Sequence, residues 1–99
     1  MIQHVAIFRW KEGTTDEQVA AVTQALGALP AQIEALRSYT AQPNLALRPG
    51  GGDYGVVAVV DDEAGVHAYL DHPAHKHAVD RYIAPIIAER IAVQLPVAG

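Results

Sequence analysis

The seven residues from Tyr54 to Val60, YGVVAVV, constrain this chain more than any other stretch, because they are apolar on both faces of the strand they form. A β-strand points successive side chains to opposite sides, so a strand with one wet face alternates apolar and polar residues. Val56, Val57, Ala58, Val59 and Val60 leave neither face suited to water. The opening stretch, Ile2 to Arg9, behaves similarly: Ile2, Ala6 and Phe8 share one face with His4, and Val5 and Ile7 lie on the other. Both faces of the sheet must therefore be covered. Left bare, the second face would be an apolar patch on the order of several hundred Å², more than a soluble monomer normally exposes.

The remaining elements say what covers the first face. With 99 residues and 10.6 kDa the chain is a single domain, residues 1–99, able to bury about 64% of its unfolded surface. After the first strand, Thr14 and Thr15 offer capping hydroxyls with Glu17 or Gln18 three residues on, and Val19, Val22, Leu26 and Leu29 follow at helical spacing. This predicts a helix over 16–28, ending before Pro30. A turn over 30–33 leads to a weaker strand over 35–41 that Pro43 stops, and Arg48-Pro49-Gly50-Gly51-Gly52-Asp53 is a loop. Beyond the central strand, acidic residues 61–63 sit where a helix over 63–70 has its positive end. Pro73 restarts a second helical segment, in which Val79, Tyr82, Ile83 and Ile86 keep helical spacing until Pro85 disturbs it. A last strand over 89–95 places Ile91, Val93 and Leu95 on one face.

The order β-α-β-β-α-β predicts a ferredoxin-like α+β domain, a four-stranded antiparallel sheet with helices on one side. The other side is covered either by the loop of residues 42–53 or by a second copy of the chain. That loop is short and Gly-rich, so a homodimer packed through its sheet faces is the expectation.

Seven basic against eleven acidic residues give a net charge of −4, which repels a phosphate backbone. The central strand also lacks the stacking aromatics of RNA-recognition domains, so nucleic acid is not an expected partner. No cysteine is present, which removes disulfides, thiolate nucleophiles and Cys-ligated metals. Gly50-Gly51-Gly52 is not followed by the Lys-Ser/Thr and helix of a phosphate loop. No stretch approaches the roughly 18 apolar residues of a membrane span, and the first residues do not read as a leader. A soluble, cytoplasmic protein with no membrane partner is expected.

Four of the five histidines fall between His67 and His77, and imidazole is the side chain best suited to proton transfer near neutral pH. Tyr69, His72 and His75 are three residues apart, so a helix interrupted at Pro73 could turn two of them toward one pocket. In a catalytic reading a histidine removes a proton beside a carbonyl while a tyrosine hydroxyl orients it or polarises that carbonyl. In the structural reading His72 caps the helix and His75 packs beneath it. His4 points either into the helix-packed core or into a barrel. Unpaired burial would cost about 1–3 kcal/mol, which favours a cavity beside it. His75 and His77, two apart on a helix, cannot both ligate one ion, and no metal site is expected.

The opening IQHVAIFRWKEGTT, the YGVVAVVDD strand and the box AYLDHPAH together resemble the stress-responsive dimeric α/β-barrel (Dabb) family over essentially the whole chain. The resemblance implies two ferredoxin-like protomers whose sheets pack face to face around a barrel. Most members of that family have no assigned activity. Members of the olivetolic acid cyclase type close a linear polyketide thioester by an aldol condensation, with no metal or organic cofactor. By that resemblance His75 is the general base, Tyr69 its supporting tyrosine and His4 a pocket-lining, substrate-binding residue, while the spacing around Pro73 adds His72 as a second substrate-binding candidate. Gly55 departs from the cyclase pattern, which has a further histidine there, so the particular substrate does not transfer. Two readings follow: a cofactor-independent, lyase- or cyclase-like enzyme acting on a small apolar, enolisable carbonyl compound, and a non-catalytic stress-associated or ligand-binding dimer.

Overall fold

The computed structural model describes residues 1–97. Its elements are β1 (Ile2–Trp10), α1 (Asp16–Gly27), β2 (Ser38–Pro43), β3 (Tyr54–Val60), α2 (Glu63–Leu70), α3 (Pro73–Ala78) and β4 (Ile87–Pro96), with a 3-10 turn at Leu29–Ala31 and a π-helical turn at Val79–Ile83. The strands form one antiparallel sheet in the order β2-β3-β1-β4. This is the ferredoxin-like arrangement.

Local chemistry explains the helix boundaries. The Thr15 hydroxyl accepts the Gln18 N–H at 3.2 Å while the Gln18 side chain accepts the Thr15 N–H at 2.9 Å, a capping box that starts α1. Asp62 starts α2 by accepting the Gly65 N–H at 2.9 Å. Gly65 also lets α2 lie against the sheet, since a Cβ there would stand 2.9 Å from Val60 Cβ. β4 runs from Ile87 to Pro96, longer than the expected 89–95, and both ends of β2 differ from expectation. β2 begins at Ser38 rather than residue 35, because the chain first passes through the 3-10 turn and sinks Leu29 and Ile33 into the core. It also runs through Pro43, which an edge strand tolerates since it lacks a partner on one side.

Register decides what each face holds. On the helix side Ala6 and Phe8 of β1 lie beside Val56 and Tyr54 of β3 and join Val22, Leu26, Leu29 and Ile83 in the core. His4 shares this side and is 1% exposed. The strand pairings place Arg90, Ala92 and Gln94 of β4 opposite Phe8, Ala6 and His4. The far face carries Val5, Ile7, Val57 and Val59, and on β4 Ile91 and Val93 pair with Ile7 and Val5, with Leu95 beside Gln3. β4 is thus polar toward its own helices and apolar away from them, the reverse of what an isolated protomer would select. Ile7 is 44% exposed, Ile91 60%, Val93 45% and Leu95 44%. The loop after β2 reaches this face only at Gly52, which lies against Ile7, and leaves these side chains exposed. Its own Leu45 and Leu47 are exposed.

Candidate functional site

A cavity of about 630 Å³ opens between the helix side of the sheet and the segment running from α2 into β4. His4, Tyr39, Tyr69, His75 and Arg90 line it, with Phe8, Leu26, Val56 and Ile83 supplying apolar wall. The cavity therefore lies within one protomer. The expectation of a site in the barrel enclosed by two sheets is corrected here, because His4 points to the helices and the opposite sheet face is apolar at its centre, carrying no histidine among the described residues.

The break between α2 and α3 builds the site. His72 is held in an extended conformation, as a residue before proline must be. Its Nδ1 accepts the Ala74 N–H at 3.0 Å, so His72 is the N-cap of α3. It does not line the cavity, and its expected place among the substrate-binding residues is corrected to a capping one. That cap has a consequence four residues back. In an uninterrupted helix the Ala74 N–H would bond the Leu70 carbonyl. Diverted to His72, it leaves that carbonyl free, and His75 Nδ1 donates to it at 3.1 Å. A carbonyl can only accept, so Nδ1 carries the proton and Nε2 is the basic nitrogen. Burial lowers the His75 pKa below its ordinary value; the Leu70 bond opposes this, and Arg90 and His72 add to the lowering. The ring is neutral near pH 7. The bond from Leu70 also corrects one expectation for Tyr69: a backbone carbonyl, not the tyrosine hydroxyl, orients His75.

Tyr69, at the end of α2, is the hub of the site. Its ring packs on His75 with centroids 4.6 Å apart and meets His4 edge-on at 6.1 Å. Its hydroxyl shares a 2.8 Å hydrogen bond with the Tyr39 hydroxyl from β2. Burial raises the pKa of both phenols, so both stay protonated and one proton of the pair is free to point outward. His77 is exposed, as is His67. Among the described residues no group of three or more His, Cys, Asp or Glu is placed to hold a metal ion.

His4 has the opposite polarity from His75. The Gln94 side-chain amide donates to its Nδ1 at 2.9 Å, which leaves the proton on Nε2. That Nε2 is buried and has no hydrogen-bond partner. Burial lowers the His4 pKa, with Arg90 and His75 adding in the same direction, so this ring too is neutral. Gln94 and Arg90 were missed by sequence reasoning, although both alternate with Ile91, Val93 and Leu95 and so mark a polar face of β4. Tyr39 was missed too, since a tyrosine in a weak strand carries no mark that separates a cavity residue from ordinary sheet packing.

The model of the stress-responsive A/B barrel domain family matches residues 2–97. The chain belongs to that family. An uncharacterized protein of Streptomyces coelicolor is 36% identical over 81 residues, which are 80% of this chain and 84% of that protein. A dimeric ferredoxin-like protein of unknown function from Thermobifida fusca is 45% identical and superposes with a TM-score of 0.89, covering 97% of this chain and 90% of that one. The hydroxynitrile lyase of Passiflora edulis shares the fold at a TM-score of 0.82 and 12% identity, covering 98% of this chain and 93% of the lyase. At that identity only the fold is shared in evidence. No helix among the described residues is long and apolar enough to cross a membrane.

Proposed function

We propose that this family member is a homodimeric, cofactor-independent enzyme that removes a proton beside the carbonyl of a small, largely apolar compound. The observation carrying the proposal is the opposed polarity of two histidines in one cavity: a free basic Nε2 on His75 and an unpartnered Nε2–H on His4. Burying an N–H without an acceptor costs about 1–3 kcal/mol. A substrate carbonyl supplies the acceptor, and the bond strengthens as negative charge develops on that oxygen. In the step itself the carbon-bound proton moves to His75 Nε2 and the electron pair passes to the carbonyl oxygen, held by His4 with the Tyr69–Tyr39 hydroxyl pair as a second donor. The resulting enolate adds to a second carbonyl of the same molecule, as in an aldol closure, and His75 returns the proton to the new alkoxide. That the same fold serves a lyase in Passiflora edulis shows it can host an active site. The exposed apolar face of β4 and β1, and the dimeric state described for the Thermobifida fusca relative, support the homodimer.

The test is hydrogen–deuterium exchange at the carbon next to the carbonyl of β-keto thioesters, followed by NMR. Positioned proton transfer contributes typically about 10²–10⁴-fold, and His75→Ala should lose that much. His77→Ala, on the exposed side of α3, should exchange at the wild-type rate. Exchange that survives His75→Ala undiminished refutes the base assignment, and a wild-type protein that binds such compounds without exchanging them leaves the ligand-binding reading.

A further inference from the structure

The proton-transfer step leaves the charged groups of the cavity lining unused, Arg90 among them. Arg90 stands on the helix-facing side of β4, opposite Phe8, and lines the same cavity as His4, Tyr69 and His75. Its charge reaches all three rings: after burial it adds to the lowering at His4 and His75, and at Tyr69 it opposes the rise that burial causes. A cation beside two neutral histidines opposes protonation of the base, so its presence needs a compensating use.

The other charges at the opening set the count. Glu89, next in sequence and also in the cavity lining, is already neutralised by Arg9 at 3.4 Å. Lys76 and Asp80 line the cavity with opposite signs. Arg90 makes no ion pair among the described residues, and it is exposed at the opening while the wall behind it is apolar. Lys76 and Arg90 against Asp80 leave one positive charge uncompensated. One net charge suits a single carboxylate rather than a polyphosphate, and a guanidinium matches a carboxylate with two parallel N–H···O bonds.

We infer that the substrate is a keto acid, whose carboxylate binds Arg90 at the cavity opening while its apolar body and carbonyl reach inward toward His4 and His75. This deepens the proposed function and rests on it for the identity of the carbonyl site.

The experiment titrates the wild-type dimer by NMR with 4-oxo-4-phenylbutanoate and with its methyl ester, which has the same ketone and ring but no charge. The acid should bind at least about tenfold more tightly than the ester, the scale of one charged hydrogen-bonded pair. Arg90→Gln should erase that preference while leaving the ester's affinity unchanged, and Arg90→Lys should retain part of it. Arg48→Gln, an exposed cation in the loop after β2, should retain all of it. Equal binding of acid and ester to the wild type overturns the inference, as does a preference that survives Arg90→Gln or the failure of both compounds to bind. Deuterium exchange into the bound ester, compared between wild type and His75→Ala, reads the proton-transfer step separately. A lost acid preference with exchange intact refutes the keto acid alone, and an intact preference without exchange refutes the enzyme reading alone.

Discussion

Val57→Asp should dissociate or unfold the dimer, and the size of the effect follows from where Val57 lies. It sits in the middle of the uncovered sheet face, paired with Val5 on one side and Thr40 on the other. The nearest basic side chain on that face, Arg9, is at the end of β1 and already pairs with Glu89. In the proposed face-to-face dimer a carboxylate placed there would be buried by the second sheet with no cation opposite it. Removing such a charge from water costs several kcal/mol, taken here as about 3 kcal/mol at minimum. Two-fold symmetry puts two introduced carboxylates in one interface, about 6 kcal/mol per dimer, which weakens association by about 10⁴-fold. A dimer with a nanomolar constant would then be largely monomeric at about 1 μM. Sedimentation should return the 10.6 kDa chain mass for the variant and about twice that for the wild type. Gln24→Asp, on the exposed side of α1, should leave the dimer intact and so separates position from charge. Should Val57→Asp fail to fold, Ile91→Glu tests the same face at a side chain that is 60% exposed in the protomer. Variants at both positions that sediment as dimers with unchanged unfolding midpoints would refute the face-to-face assembly.

Two further outcomes follow from the cavity. His4 and His75 both have folded-state pKa values below their ordinary 6.5, so between those values the unfolded chain binds more protons. Stability is therefore full above pH 6.5 and falls as the pH drops through the lowered values. Urea midpoints at pH 7.5 and 5.5, at fixed protein concentration, should show the loss, and a flat wild-type profile would contradict the burial of these rings. Tyr39→Phe and Tyr69→Phe each strand one buried hydroxyl and should each cost about 1–3 kcal/mol. The double variant strands none, so it should cost less than the sum by about 0.5–3 kcal/mol, and strict additivity would show that the 2.8 Å hydroxyl pair is not coupled.

The cavity-lining residues were legible in the chain to different degrees. His75 and Tyr69 stand out because Pro73 must break a helix between them, and proline acts through the covalent backbone alone. The tautomer of His75 was not legible: it depends on the Ala74 N–H leaving Leu70 for His72, a choice between two acceptors that exists only once the turn has formed. The π-helical turn at Val79–Ile83, closed by the Ala84 N–H on the Val79 carbonyl at 2.8 Å, was hidden because its apolar residues keep an ordinary helical spacing.

Period-two alternation, a property of the strand itself, determined that the sheet has two apolar faces and that a monomer leaves one of them uncovered. Only the tertiary structure decided which face the helices take, and with it that His4 looks into a cavity within its own protomer. Alternation assigns residues to two sides but is symmetric between them. The symmetry is broken by the connections that carry α1 and α2 to one side of the sheet. The same packing brings Gln94 of the last strand beside His4 of the first and Arg90 beside Phe8, a proximity set by the pairing of β1 with β4 across the chain.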